Sequence, residues 1–229
     1  HTIHIFNFRK TVYRLWYFNM IKYYLNGNEI DLNKFGAIST KGITLEKRPG
    51  NSGDRIFEVT NGMINRIGLE NVGIQSFLLD KLPKLRQKKI NFMLNIAGST
   101  TEDYERLAAI ANEYEIEALE VNVSCPNVHG GGMSFGTQPE AAAEVTKAVK
   151  AVTTKPVIIK LSPNVTDIVS IAKACEEAGA DGISMINTML GMKIDLKTKK
   201  PVIANKMGGF SGPAIKPVAV ISIIRFAVV

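Results

Sequence analysis

Within Glu120-Val-Asn-Val-Ser-Cys-Pro-Asn127 a thiol lies between two carboxamides and is followed by proline, at what reads as the closing end of a strand. That spacing puts Cys125 and the amides of Asn122 and Asn127 in one small volume. A thiolate is a capable base or nucleophile, but at its ordinary pKa only a few per cent of a thiol is ionised near neutrality. The chemistry therefore needs neighbours that lower the pKa, or a substrate proton acidic enough to leave. The competing reading is a buried structural thiol, the usual fate of a cysteine. Two lysines stand at comparable places, Lys41 after the apolar run 36–40 and Lys160 inside 157–161. Each has a plainer reading: Lys41 as a surface lysine laying its stem along a strand end, and Lys160 as a strand lysine paired with a carboxylate. Asn95 and Asn187 sit at the ends of two further apolar runs.

Other reactive types read as structure. Cys175, in AKACEEAGADG, falls on a helix without polar neighbours of note and reads as packing. His1, His4 and His129 have no metal-ligand spacing with the cysteines. Asn122-Val-Ser and Asn164-Val-Thr match the glycosylation sequon, but a strand end and a helix cap are poor acceptors.

The elements that must position these residues follow one rhythm from about residue 34 onward. Short runs rich in Val, Ile, Leu and Ala, at 36–40, 92–97, 118–123, 157–161 and 182–186, show little alternation and read as strands covered on both faces. Helices lie between them. Ser99 and Thr100 precede Glu102 and Asp103 as a capping signal, and Thr137-Gln-Pro-Glu opens a second helix with Pro139 in its first turn. Asn164-Val-Thr-Asp starts a third, closed by Gly179. Asn61-Gly62 is a hairpin turn signal within 55–70, read as an excursion over the mouth of the fold, and the glycine-rich 129–137 reads as a mobile lid.

Strict strand–helix alternation implies a parallel sheet with right-handed crossovers, either open and doubly wound or closed as a (β/α)8 barrel. No G-x-G-x-x-G follows any of the strands, which counts against the dinucleotide-binding alternative. Lys41, Asn95, Asn122 with Cys125, Lys160 and Asn187 gather at the C-terminal ends of different strands, where a barrel builds its active site. The α/β class with a TIM-type barrel is the better fit.

Bulk composition agrees with one sizeable globular domain: 45% hydrophobic and 21% charged residues, with only two cysteines. Two cysteines in so long a chain argue against a secreted disulfide framework, and a reducing, cytoplasmic setting is expected. The net charge of +7 comes partly from Arg9, Lys10, Arg14 and Lys22 and otherwise from scattered surface lysines and arginines, so no nucleic-acid partner is expected. No run approaches the ~20 apolar residues of a membrane span.

At this point the motifs converge on a family. VNVSCPNVHGGGMSFGTQPE resembles the catalytic-loop signature of the dihydroorotate dehydrogenases, FGAISTKGITLEKRPGN their flavin- and orotate-contacting strand, and NRIGLEN their orotate-binding loop. NIAG, IIKLSPN, INT and GGFSGPAIKP are similar to further flavin- and substrate-contacting segments, in the family's order from about residue 31 to 220. The extra glycine and the FGTQPE ending are closer to class 1B than to class 1A, and the Cys differs from the Ser base of the membrane-associated class 2. The resemblance implies oxidation of dihydroorotate to orotate, with Cys125 as general base and a hydride passing to FMN. It implies that Lys41, Gly42, Asn95, Asn122, Lys160, Ile186 and Gly212 hold FMN. Lys41, Asn65, Arg66, Ile67, Gly68, Leu69, Asn122, Asn127, Asn187 and Thr188 would line the substrate. It further implies a homodimer assembled into a heterotetramer with an iron–sulfur flavoprotein, which carries FAD and a 2Fe-2S cluster and passes electrons to NAD. A dihydropyrimidine dehydrogenase-like reductase and an inactive barrel fragment are the alternatives.

Two departures shape the expected domain layout. Residues 1–30 lack the family's opening N-P-V-M-P-A-S-G-type segment and stand apart from a partial FMN-binding barrel at 31–229. After Ala219 the family's helix gives way to VISIIRFAVV, so the last two βα units are expected to be missing, with their phosphate-binding loops. Weak FMN binding, marginal folding and aggregation through an open strand edge are the corresponding expectations.

Overall fold

A computed structural model describes residues 36–87, 91–124 and 135–228, together with the strand paths of β1 (Tyr13–Arg14), β2 (Tyr24–Leu25) and β3 (Asn28–Glu29). Cys125, Asn127 and most of the glycine-rich segment expected to act as a lid lie outside the described residues. After β4 (Ile38–Ser39), a hairpin forms from β5 (Ile56–Val59) and β6 (Gly62–Asn65), and Asn61 turns it with φ 58°. A helical stretch follows as α1 (Ile74–Ser76), a π-helical turn at Phe77–Lys81 and α2 (Leu82–Gln87).

Strands and helices then alternate: β7 (Phe92–Ile96), α3 (Thr101–Asn112), β8 (Ala118–Asn122), α4 (Pro139–Val152), β9 (Val157–Lys160), α5 (Ile168–Glu177) and β10 (Gly182–Ser184). The order in the main sheet is β1-β4-β7-β8-β9-β10, every pair parallel, curled into half of a TIM-type barrel. Beyond β10 come β11 (Met189–Gly191), β12 (Ile194–Asp195), β13 (Lys200–Pro201), β14 (Gly208–Ser211) and α6 (Lys216–Ala227). β11 and β14 join the hairpin in a four-stranded antiparallel sheet of order β11-β14-β6-β5, so the excursion at 55–70 is tied to the segment after β10.

Register sorts the strand residues onto two faces. Ser39 pairs with Met93, Asn95 with Glu120, Asn122 with Lys160, and Lys160 with Ser184, so these residues share the concave face. Ala37, Met93, Ala118 and Ile158 form a small apolar cluster there, each two residues before Ser39, Asn95, Glu120 and Lys160 respectively. An apolar layer at the N-terminal ends therefore carries a polar layer above it, as in the stacked interior of a barrel. Phe92, Leu94, Ile96, Leu119, Val121, Val157 and Ile159 point the other way, into the main core against Tyr104, Leu107, Val145, Val149 and Ile171 of the helices. Covering both faces is what removes alternation from these strands.

Helix starts follow the capping chemistry. Thr100 Oγ1 accepts from the Asp103 amide at 3.2 Å and Asp103 accepts in return from the Ser99 amide at 2.8 Å, which satisfies two otherwise orphaned donors. Pro139 occupies the first turn of α4, and Gly179, at φ 97°, ends α5. One start is displaced from its sequence expectation. Asp167, not Asn164, caps α5 by accepting from Val169 N at 3.1 Å. Asn164 instead bridges to Thr188 O at 3.0 Å and accepts from Leu190 N at 2.7 Å, fastening the chain that follows β10. The last helix does not give way after Ala219: α6 runs on to Ala227, with Ala219, Ser222 and Ile223 buried on one face. No helix among the described residues is long and apolar enough to cross a membrane.

Candidate functional site

Among the described residues, the strand ends on the concave face carry Asn95, Asn122 and Lys160, with Lys41, Gly42 and Asn187 just beyond them. Lys41 and Gly42 follow β4, and a Cβ at Gly42 would stand 2.9 Å from Asn95 Oδ1 and 3.4 Å from Leu69 Cδ2. Glycine at this position keeps the approach to that oxygen clear. Burial holds the Lys41 ammonium below its ordinary 10.5; Glu70 pulls it back toward the charged form and Arg55 adds repulsion.

Asn95 and Lys160 are almost wholly buried, and each leaves a polar atom unanswered: Asn95 Oδ1 and Lys160 Nζ have no hydrogen-bond partner among the described residues. Orphaned groups at such depth are rare, because each costs about 1–3 kcal/mol, and more for a charge. Next to them, Asn122 Oδ1 accepts from Ser124 Oγ at 2.7 Å, from Ser124 N at 3.3 Å and from Asn187 Nδ2 at 3.3 Å. Asn187 Nδ2 also donates to Ser124 Oγ, and Asn187 Oδ1 accepts from Thr188 N at 2.8 Å. A backbone N–H can only donate, so the contact from Ser124 N fixes the Asn122 carboxamide with its Nδ2 turned away from this cluster. Ser124, which immediately precedes Cys125, is thus held by two of the expected site amides.

The opposite wall is the loop after β6. Asn65 Nδ2 donates to Gly209 O at 3.1 Å, and a side chain at Gly209 would collide with Thr188, so Asn65 and Thr188 meet across β14. The Arg66 guanidinium is turned into the loop, where Nη1 donates to Ser52 O at 2.8 Å and Asp54 O at 3.1 Å; Asn51 Nδ2 holds Arg66 O at 2.6 Å. Gly68 and Leu69 both adopt positive φ, 76° and 55°. Asn71 pins the far end: its Oδ1 accepts from Thr44 N at 3.2 Å and Gly73 N at 2.9 Å, while Nδ2 donates to Leu69 O at 2.7 Å. The Arg66 backbone is used within the loop as well, its N–H donating to Arg55 O at 2.8 Å.

Two further expected residues are fixed by local backbone constraints. Ile186 is buried, just after a cis Met185–Ile186 peptide. Gly212, at φ 127°, lies against the hairpin turn, where a Cβ would stand 2.5 Å from Gly62 Cα and 2.8 Å from Asn61 O. Its glycine is required by that close approach whatever else it touches.

Sequence reading gave no role to the group at the centre of this face. Glu120 is completely buried; it accepts from Ser39 Oγ at 2.6 Å, from Ser184 Oγ at 3.0 Å and from Asn95 Nδ2. The signal was present: an acid in mid-strand, on the same face as Asn122, in a run otherwise apolar enough to be buried on both sides. Cys175 behaves as expected of a packing thiol. Burial pushes it up to about 11, with the Thr146 hydroxyl beside it as a polar neighbour pulling slightly the other way.

A model of the dihydroorotate dehydrogenase family matches residues 25–229. The chain belongs to that family. It is 56% identical over 191 residues to dihydroorotate dehydrogenase B (NAD(+)), catalytic subunit, of Listeria welshimeri, a match covering 83% of this chain and 63% of that protein. The proteins of the same name from Shouchella clausii and Pelobacter propionicus are 55% and 54% identical, over 84% and 83% of the chain and 64% and 63% of their own lengths. The chain thus spans a little under two thirds of the curated relatives it matches. In a chain of this family, the two unanswered atoms fit a flavin: a planar polar ring carries both acceptors for a buried ammonium and an N–H for a buried carbonyl oxygen.

Proposed function

We propose that this chain binds FMN and dihydroorotate at the concave strand ends and takes part in the oxidation of dihydroorotate to orotate. The observation that carries the reading is the buried pair of unanswered polar atoms, Asn95 Oδ1 and Lys160 Nζ, within a ring of amides and lysines. Lys41, Gly42, Asn95, Asn122, Lys160, Ile186 and Gly212 would hold FMN, within a binding unit spanning 31–229. FMN, when bound, supplies the two-electron acceptor. Lys160 contributes a fixed positive charge that needs no reorganisation when negative charge builds beside it. Lys41 offers a charge-assisted contact to the substrate carboxylate, for which its partial desolvation leaves it poised.

Residues 65–69, with Asn122, Asn127, Asn187 and Thr188, would present backbone and amide groups to the pyrimidine edge, since amides both donate and accept. Cys125 would take the C5 proton onto Sγ, a step for which a positioned base is worth ~10²–10⁴-fold. The full assembly is a homodimer joined in the cytoplasm to an iron–sulfur flavoprotein with FAD and a 2Fe-2S cluster, which hands the electrons to NAD. The name of the relatives, the catalytic subunit of an NAD(+)-linked enzyme, supports a partner subunit and NAD; the homodimer, FAD and 2Fe-2S cluster rest on the family resemblance alone.

The test is anaerobic mixing of the chain, supplemented with FMN, against dihydroorotate. Bleaching of the bound flavin with stoichiometric orotate is expected, and its loss in Cys125→Ala. Turnover of uracil in place of dihydroorotate would favour the dihydropyrimidine reductase alternative. Failure to take up FMN at any concentration sinks the reading.

A further inference from the structure

We propose that Glu120 is a positioning residue: it fixes which way the Asn95 carboxamide faces, so that the site presents an acceptor beside Gly42 and selects a ligand with an N–H there. The inference deepens the FMN reading above and rests on it for the ligand's identity, but not for the orientation itself.

A carboxamide is ambivalent, since its oxygen and nitrogen ends are nearly the same shape and carry opposite hydrogen-bonding sense. An ionised carboxylate is not ambivalent: it can only accept. With Glu120 behind it, Asn95 turns Nδ2 toward Glu120 Oε2 and leaves Oδ1 outward, where no protein donor among the described residues meets it. The outward oxygen lies on the side kept open by Gly42. The carboxylate is itself held on both oxygens, Oε2 by Ser39 and Oε1 by Ser184, so it cannot swing away. The Asn95 backbone is fixed as well, its N–H donating to Thr40 Oγ1 at 3.0 Å. Ser39, Asn95, Glu120 and Ser184 are all fully buried, so no water competes for the orientation. A glutamine at 120 would lose this sense of direction, because either end of its amide can face either end of Asn95.

The experiment is a double-mutant cycle on the whole 229-residue chain with E120Q, N95D and N95D/E120Q. FMN affinity is read from quenching of flavin fluorescence, folding from thermal melting, and the Asn95 side-chain amide from ¹⁵N-asparagine resonances without FMN, assigned by their absence in N95D. E120Q and N95D should each weaken FMN binding by about tenfold or more, the range for one hydrogen bond to a charged group. N95D/E120Q should recover to within about threefold of the parent, because the glutamine then donates to the carboxylate introduced at position 95, whose second oxygen restores the outward acceptor. A purely structural role predicts no such recovery. A double variant no better than the weaker single one overturns the proposal. If the parent chain takes no FMN, the functional reading fails separately and the amide resonances decide: displacement of the Asn95 pair in E120Q upholds the orientation, and an unmoved pair overturns it.

Discussion

Ser39 and Ser184 stand on strands separated by three others in the main sheet, yet both donate to one carboxylate, Glu120, at 2.6 and 3.0 Å. In a flat sheet, strands four places apart lie about 19 Å from one another. A single carboxylate spans a fraction of that. The sheet must curl around Glu120, and the curl brings side chains from β4, β7, β8, β9 and β10 to one point. Curvature and site assembly are thus the same event: the contacts that bend the sheet also gather Asn95, Asn122 and Lys160.

Removing one of these donors tests the closure. Ser39→Ala leaves Glu120 without the hydroxyl on Oε2, and a hydrogen bond to a charged group is worth about 1.5–3 kcal/mol. Ser39 is fully buried, so water does not replace it. Urea unfolding should show a lower midpoint with an unchanged m value. A midpoint equal to the parent's would mean that the curl holds without this contact.

A second prediction concerns acid. Burial pushes the Asp181 carboxyl up, but the Lys150 ammonium at 2.8 Å and the Val157 N–H at 2.7 Å outweigh it and leave it below its ordinary 3.8. A carboxyl depressed in the folded state stabilises above its unfolded value, and that stability is lost as pH falls through the folded one. The parent should therefore be more stable than Asp181→Asn at pH 7, and the gap should close as pH drops below 3.8. The pair is part-exposed, so the gap is under about 1 kcal/mol. Melting temperatures across an acid series measure it; a gap that widens toward low pH would contradict the assignment.

The two cysteines should separate under alkylation. With its thiol raised to about 11, Cys175 is roughly one part in a thousand thiolate at pH 8, and its side chain is fully buried. Iodoacetamide should leave Cys175 unmodified in the folded chain and label it only after denaturation, by peptide mass. Labelling of native Cys175 at the rate of a free thiol would mean that the helix layer over β9 and β10 opens readily.

The parallel strands, α3, α4 and α5 and the Asn61-Gly62 turn were legible because each rests on local rules: apolar runs, caps and turn residues act within a few positions. Two kinds of feature were not. Asn164 looked like a helix cap because asparagine suits one, and only the fold shows it spent on Thr188 and Leu190. Glu120 stood in plain view inside the most informative motif, but its role depends on Ser39, Asn95 and Ser184, which are 81, 25 and 64 residues away. Side chains at 65, 122, 160 and 187 were legible as site candidates from the family resemblance. Whether each offers a donor or an acceptor was not, since that is settled by partners distant in sequence.

Lys160 should expose a conflict between stability and binding. Lys160 is 1% exposed and its Nζ has no hydrogen-bond partner among the described residues, an arrangement that costs stability until a ligand answers it. Methionine has nearly the same length and no charge, and Glu120 keeps the hydroxyls of Ser39 and Ser184 and the Asn95 amide as donors in the variant. Lys160→Met should therefore stabilise the ligand-free chain by about 1–3 kcal/mol. FMN at a hundred times its Kd should stabilise the parent by ~2.7 kcal/mol through mass action and leave the variant unmoved. Both shifts can be read from the same melting curves with and without FMN. A less stable ligand-free variant would mean that the ammonium is compensated within the protein, and an FMN response equal to the parent's would remove Lys160 from the site.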